Sequence, residues 1–91
     1  MTPHEMALSI SERAKSARLS ENFSRKTLAE RSGVTESSLK RFEQTGQISF
    51  TSLLKIAFVL DRIDDFGEIF QPRQEVSLAE ISRKTRERGR R

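Results

Sequence analysis

Residues 24–46 read SRKTLAERSGVTESSLKRFEQTG, and this stretch decides the fold of the chain. It predicts a short helix over residues 25–32 and a second helix over residues 36–44, because each begins just after a polar residue that can cap it. Gly33 has the residue type that most readily adopts the positive φ of a helix C-cap, so it ends the first of these helices. The sequence therefore predicts a helix, a short turn and a helix.

Helix starts along the chain share one feature, a polar N-cap with an apolar residue just before it and another four positions after it. The caps of this kind are Thr2, Ser24, Thr35, Ser49 and Ser77. They predict a first helix over residues 3–19, a fourth helix over residues 50–60 and a short helix after Ser77. Asp64 is the predicted cap of a fifth helix over residues 65–70. Because no segment alternates apolar and polar residues as a strand does, the predicted fold class is all-α.

The composition supports one small core. The chain has 91 residues, of which 34% are hydrophobic and 33% charged, and it contains no cysteine. The lack of cysteine excludes disulfides and thiolate chemistry and fits a reducing compartment. No apolar run approaches the ~20 residues that a membrane-spanning helix needs. We therefore expect a soluble, cytoplasmic protein with no membrane partner.

Charge is distributed unevenly along the chain. Residues 1–70 carry equal numbers of acidic and basic side chains, so the whole net charge of +4 lies in residues 71–91. This boundary predicts a neutral folded domain over residues 1–70 and a basic C-terminal tail over residues 71–91. The cations that could act as an arm are Arg83, Lys84, Arg86, Arg88, Arg90 and Arg91. The tail could bind DNA, dock on another protein or serve only as a solubilising end.

The second helix of the central pair is polar on its outward side. With Leu39 and Phe42 facing the core, the outward residues are Glu36, Ser37, Lys40, Arg41 and Gln44. They offer hydrogen-bonding groups and cations that could address base edges. A helix of this kind, joined to its predecessor by a short turn containing glycine, can enter the ~12 Å major groove of DNA.

Residues 23–39, 41–43 and 53–57 resemble the core of the Xre/lambda-repressor type of helix-turn-helix regulators. The resemblance covers roughly residues 8–70. It implies a compact five-helix bundle that binds a specific double-stranded DNA sequence as a homodimer and represses transcription. Residues 43–50, EQTGQISF, are similar to those of antitoxins that accompany HipA-type kinase toxins. A toxin of that kind, in a toxin-antitoxin operon that the chain would itself regulate, is therefore a candidate partner.

The resemblance also implies roles for individual residues. Those at or beside its base-reading positions are Glu36, Ser37, Lys40 and Arg41. The candidates for contacts with the DNA backbone are Ser24, Arg25, Lys26, Thr35, Gln44 and Lys55. Arg18 and Glu43 match a structural ion pair that ties the first helix to the end of the third.

Three residues depart from the family pattern or complicate it. Arg25 stands where these regulators usually place a glutamine against the DNA backbone, which suggests a charge-assisted phosphate contact. Glu36 could accept a hydrogen bond from a cytosine amino group, or it could simply favour the positive end of the helix dipole. Asp61 replaces a common glycine after the fourth helix, so we expect a less regular helix end there.

The later part of the body has more large apolar residues than five small helices need for a core. They are Phe58, Phe66, Ile69 and Phe70. We expect a symmetric dimer contact or a contact with a partner protein there, although burial in the core is the alternative. A competing function follows, in which the chain is a protein-interaction module with weak or no independent DNA binding.

Catalysis is not expected. The sequence has no glycine-rich phosphate loop, and its single histidine, His4, has no neighbouring ligand cluster or nucleophile. We therefore expect no metal site, no cofactor and no enzymatic activity.

Overall fold

A computed structural model describes residues 1–73, which form four α-helices and one short 3₁₀ turn. The elements are α1 (Pro3–Ser20), α2 (Arg25–Ser32), α3 (Glu36–Thr45), α4 (Phe50–Val59) and the 3₁₀ turn (Ile63–Phe66). The described residues contain no strand. The four longer predicted helices are therefore confirmed to within one residue at each end. The short helix expected after Ser77 lies outside the described residues, as does most of the basic tail.

Polar side chains cap every α-helix at its start. The Thr2 hydroxyl accepts a hydrogen bond from the Glu5 backbone N–H at 3.1 Å, and the Glu5 carboxylate accepts one from the Thr2 backbone N–H at 2.8 Å. This reciprocal pair is a capping box. At the other three starts a cap hydroxyl accepts from the N–H three residues later, and these caps are Ser24, Thr35 and Ser49. The helix starts are thus fixed by local hydrogen bonds that the sequence already indicates.

One apolar cluster joins all four α-helices. Its buried members are Leu28, Val34, Leu39, Phe42, Ile56 and Leu60, none more than 6% exposed. Helix α3 packs against α1 and α2, and α2 packs against α4. From α1, Ile10, Ala14 and Ala17 cover the cluster, while Met6 stays largely exposed. Helices α2 and α3 therefore pack on a common core. The face of α3 that carries Leu39 and Phe42 is buried, and its other face is directed outward.

The predicted fifth helix over residues 65–70 is wrong. Instead, the 3₁₀ turn occupies Ile63–Phe66 and residues 67–70 form turns. Asp64 lies within the 3₁₀ turn, where no side chain caps the N-terminus. Gly67 would also stand inside the predicted helix, where glycine costs about 1 kcal/mol relative to alanine. These two local features disfavour the helix that Asp64 is predicted to cap.

The end of α4 is regular although its left-handed residue is not glycine. Asp61 has φ 61°, and its N–H donates to the Phe58 carbonyl at 3.1 Å. The Arg62 N–H donates to the Ala57 carbonyl at 2.7 Å. Together these bonds form a Schellman motif, with aspartate in the position usually taken by glycine. The expectation of a less regular helix end is therefore wrong.

Candidate nucleic-acid interface

The turn between α2 and α3 has the geometry that a helix pair of this kind requires. Gly33 has φ 80° and ends α2, with its N–H donating to the Ala29 carbonyl at 2.9 Å. Val34 follows with 5% of its surface exposed, and its N–H donates to the Ser32 hydroxyl at 3.1 Å. Thr35 then caps α3. The buried valine anchors the turn to the core and so fixes the direction in which α3 leaves it.

One continuous face of α3 is directed to solvent. Its members are Glu36, Ser37, Lys40, Arg41 and Gln44, all of which are exposed. The opposite face contributes Leu39 and Phe42, which are 1% and 2% exposed. Since residues three and four positions apart adjoin on a helix, the exposed side chains form a single polar stripe about 12 Å long. All four residues predicted to read bases thus lie on this stripe.

A residue that the sequence analysis missed contacts the stripe. The Arg41 guanidinium donates a hydrogen bond to the side-chain carbonyl of Gln47. Gln47 follows Gly46 and lies outside α3, so no helical spacing could have connected it with Arg41. Its amide carbonyl holds one edge of the guanidinium before any other ligand is bound.

Two of the residues predicted to contact the DNA backbone, Ser24 and Thr35, cap helices with their hydroxyl groups. The Ser24 hydroxyl accepts from the Thr27 N–H and donates to the Thr27 hydroxyl, both at 3.0 Å. The Thr35 hydroxyl accepts from the Ser38 N–H at 3.1 Å and donates to the Ser38 hydroxyl at 2.8 Å. Both hydroxyls therefore stabilise helix starts, and their protons are already donated within the chain.

A carboxylate buried beneath α2 and α3 binds two arginines. Glu43 is 4% exposed in its side chain, and Arg18 from α1 is 7% exposed. The Arg18 Nε donates to Glu43 Oε2 at 2.7 Å and its Nη2 donates to Oε1 at 3.2 Å. The remaining Arg18 contact is a 2.8 Å hydrogen bond from Nη1 to the Phe23 carbonyl. This bidentate pair ties α1 to the end of α3.

Arg25, expected only as a phosphate contact, also binds this carboxylate. Its Nε donates to Glu43 Oε1 at 2.9 Å, and about a third of its side chain, 32%, stays exposed. No sequence spacing indicates this contact, because Arg25 begins α2, whereas Glu43 lies near the end of α3. We call the three residues, Arg18, Glu43 and Arg25, the charge network.

The charge network lowers the pKa of the Glu43 carboxyl below its ordinary value. Burial opposes this effect, since removing a carboxylate from water favours its neutral form. Hydrogen bonds and charge from Arg18 and Arg25 outweigh the burial. Glu43 is therefore ionised at neutral pH, and the network carries two positive charges against one negative charge.

Comparison with protein families gives the decisive match. A family described as Helix-turn-helix matches residues 15–64, which is more than half of the chain. The chain belongs to the helix-turn-helix family. Its regulators of the Xre/lambda-repressor type bind DNA, and the chain is a DNA-binding regulator of this type. No curated protein matches the chain.

The residues of the helix-turn-helix protein that are predicted to contact the DNA backbone lie in two separate places. Arg25 and Lys26 occupy the first turn of α2. Lys55 instead lines a shallow groove with Arg31 and Ser32 at the other end of that helix. A rise of about 1.5 Å per residue separates the two ends by roughly 9 Å. Lys55 is thus at the α4 side of the protein rather than beside the charge network.

The four apolar residues predicted to contact a partner are also divided. Phe58 lies in the shallow groove with Lys55 and is 71% exposed. Phe66 and Ile69 line a different groove between α1 and α4, of about 280 Å³. Phe70 is 99% exposed. The helix-turn-helix protein therefore has apolar groups in solvent, but they form no single patch.

Two further features of residues 1–73 bear on function. No helix in this part of the protein is long and apolar enough to cross a membrane. The same residues contain no group of three His, Cys, Asp or Glu side chains that could hold a metal ion.

Proposed function

We propose that the protein binds a specific double-stranded DNA sequence as a homodimer and represses transcription. Each copy inserts α3 into the major groove of one half-site, with half-sites about 34 Å apart. The observation that carries this proposal is the polar stripe on α3, which is fully exposed while the opposite face is buried. The protein acts by binding alone, in the cytoplasm, and catalyses no reaction.

Within the stripe, Arg41 is the strongest candidate for reading a base. Its guanidinium has the planar fork that binds the O6 and N7 atoms of guanine, a contact worth about 1 to 3 kcal/mol of discrimination. The hydrogen bond from Arg41 to Gln47 supports this role because it restricts the orientation of the fork. Lys40 lacks the fork and binds phosphate more readily. Glu36 either accepts from a cytosine amino group or favours the start of α3 electrostatically.

The homodimer is formed through apolar surface near α4. Phe58 is 71% exposed. When a second chain covers a large aromatic side chain, the removal of apolar area from water stabilises the complex. A symmetric contact places the same residue on both chains, so one exposed phenylalanine per chain supplies two to the interface. Phe66 and Ile69 line a separate groove between α1 and α4 and are a second candidate surface, and the fully exposed Phe70 is a further candidate contact.

A second function, binding of a protein partner, is favoured by the division of this apolar surface. Phe58 and the groove lined by Phe66 lie in different places, so a dimer that covers one leaves the other open. The proposed partner is a kinase-type toxin, with the protein acting as its antitoxin and repressing their shared operon. The basic tail, with Arg83, Lys84, Arg86, Arg88, Arg90 and Arg91, serves as the docking segment for the toxin or as an arm on DNA.

Selection of bound sequences from a randomised duplex library tests the DNA-binding proposal. The full chain should enrich an inverted repeat whose half-sites lie about one helical turn apart. The double variant Lys40→Ala with Arg41→Ala should lose that enrichment while its circular dichroism stays that of the wild type. Unchanged enrichment by the double variant would mean that another surface reads the bases. No enrichment by the wild type would favour the protein-interaction module.

A further inference from the structure

We infer that Glu43 is a positioning residue for DNA binding, because it holds Arg25 so that the free part of the guanidinium binds a backbone phosphate. The inference rests on the proposed function and assigns to a buried acid a role in binding a polyanion. Its basis is the charge network of Arg18, Glu43 and Arg25, which joins helices α1, α2 and α3.

The two arginines of the network differ in how many of their donors are engaged. Arg18 uses Nε, Nη1 and Nη2 in hydrogen bonds within the chain and is almost completely buried. Arg25 has its Nε bonded to Glu43, and within residues 1–73 no other hydrogen bond of its guanidinium is formed. An arginine has five N–H donors, so the two terminal nitrogens of Arg25 keep theirs for another acceptor.

The charge balance of the network also calls for an anion. Two guanidinium groups face one carboxylate, which leaves one positive charge in excess. Arg25 is the member that solvent can reach, since 32% of its side chain is exposed against 7% for Arg18. A phosphate oxygen at Arg25 would balance the excess charge through charge-assisted hydrogen bonds. The phosphodiester backbone of DNA is the ligand whose chemistry fits this arrangement.

Glu43 contributes by fixing the orientation of Arg25. A free arginine side chain loses rotamer freedom when it binds, and this loss weakens binding. In the folded protein the 2.9 Å bond to Oε1 has already restricted that freedom. Removal of Glu43 would therefore weaken phosphate binding. A role through charge alone predicts the reverse, because the loss of an acid near DNA reduces repulsion.

The two roles of Glu43 predict changes in DNA affinity of opposite sign when the acid is removed. Conservative variants of the full chain can therefore test the inference. The measurements are affinity and its salt dependence, on the duplex selected from the library and on a duplex of scrambled sequence. Glu43→Gln removes the charge and keeps the side-chain size. Glu30→Gln is the matched control, because Glu30 is an exposed acid on α2 without a role in the network. Arg25→Gln removes the proposed phosphate contact itself.

We expect Glu43→Gln to bind both duplexes about tenfold more weakly, in the range of one charge-assisted hydrogen bond. The slope of log K against log salt should fall by about 0.9, the value for one phosphate contact. Glu30→Gln should bind as tightly as the wild type or slightly more tightly. The double variant of Glu43→Gln and Arg25→Gln should bind no more weakly than Arg25→Gln alone, since both changes remove one contact.

Arg25→Lys tests the same idea without changing the buried carboxylate. It keeps the charge, but an ammonium group has no separate Nε edge for Glu43, so we expect several-fold weaker binding. This variant decides the matter if Glu43→Gln does not fold by circular dichroism. Wild-type affinity in Arg25→Lys, or tighter binding in folded Glu43→Gln, would overturn the inference. Wild-type protein that binds neither duplex would instead contradict the proposed function.

Discussion

The two sides of the bundle are stabilised in different ways. On the side of α1, α2 and α3, Arg18 and the Glu43 carboxylate of the charge network are buried, and all three members are bonded within the chain. On the α4 side, Phe50 and Phe58 are 60% and 71% exposed, and Phe50 meets Phe66 edge to face with ring centroids 6.3 Å apart. The first side is therefore complete in one chain, whereas the second leaves apolar surface in water.

This difference separates the two proposed activities. A surface that reads DNA must hold its side chains in place before binding, and polar bonds such as those of Glu43 provide fixed directions. A surface that binds protein gains most from apolar area removed from water. The arrangement of the chain thus supports the two proposals, DNA contact on the α2–α3 side and protein contact on the α4 side.

The largest expected difference between the two sides is in stability, when one side chain is removed from each. Glu43→Ala should lower the free energy of unfolding by about 3 to 5 kcal/mol, because it leaves Arg18 buried and Arg25 partly buried without their carboxylate. Phe58→Ala should change it by less than about 0.5 kcal/mol in the monomer, since little of that side chain is covered. Urea unfolding followed by circular dichroism measures both. Equal losses would mean that α4 is as tightly integrated as the network.

A second test uses two glycines with the same backbone conformation. Gly33 and Gly46 have φ values of 80° and 81°, so alanine at either position costs about 1 to 2 kcal/mol in backbone strain. A Cβ at Gly46 would also lie 3.0 Å from the Cβ of Ala7 in α1, whereas nothing lies within 4 Å of a Cβ at Gly33.

We therefore expect Gly46→Ala to destabilise the protein by about 1 to 3 kcal/mol more than Gly33→Ala, the usual cost of overpacking. The same unfolding measurement gives this difference directly. Gly33→Ala serves as the control because it shares the strain and lacks the contact. If the two variants were equally stable, α1 would not be held tightly against the end of α3.

A third test follows from the lowered pKa of Glu43. A carboxyl group whose pKa is lower in the folded state stabilises the protein above its unfolded pKa, near 4.3, and loses that contribution as pH falls through the folded value. The stability gap between wild type and Glu43→Gln should therefore be widest at neutral pH and narrow below about pH 4. Phe58→Ala should show a gap that does not vary with pH.

Sequence alone predicted the elements whose signals are local. The caps at Thr2, Ser24 and Thr35 each act through a residue three positions away, so their positions could be read directly. Asn22, just after α1, has φ 61°, a left-handed conformation that asparagine tolerates. The fifth helix is an error of the same local kind, because its predicted cap, Asp64, lies inside the 3₁₀ turn and Gly67 follows three residues later.

What sequence could not give depends on contacts between distant residues. Arg25 and Glu43 are 18 positions apart, and no periodicity relates the first turn of one helix to the last turn of the next. Ser11 is fully buried although it is polar, because its hydroxyl donates to the Leu8 carbonyl at 2.9 Å. Only the packing of α1 against its neighbours determines that Ser11 faces inward, whereas the family resemblance already implies the inward pair of Arg18 with Glu43.

The smallest test concerns the end of α4. Asp61 has φ 61° in the glycine position of a Schellman motif, and its negative charge lies at the C-terminal end of the helix dipole. Both features are unfavourable, so Asp61→Gly should stabilise the protein by about 0.5 to 1 kcal/mol. Asp61→Asn separates the causes, because asparagine removes the charge and keeps a side chain that tolerates this conformation.

Thermal unfolding of the two variants and the wild type measures these small differences together. If the dipole dominates, Asp61→Asn should gain as much stability as Asp61→Gly; if backbone strain dominates, only the glycine variant should gain. A loss of stability in Asp61→Gly would show that the aspartate side chain makes a favourable contact. The two sides of the bundle would then differ less in how they are stabilised, because a polar group would also stabilise the α4 side.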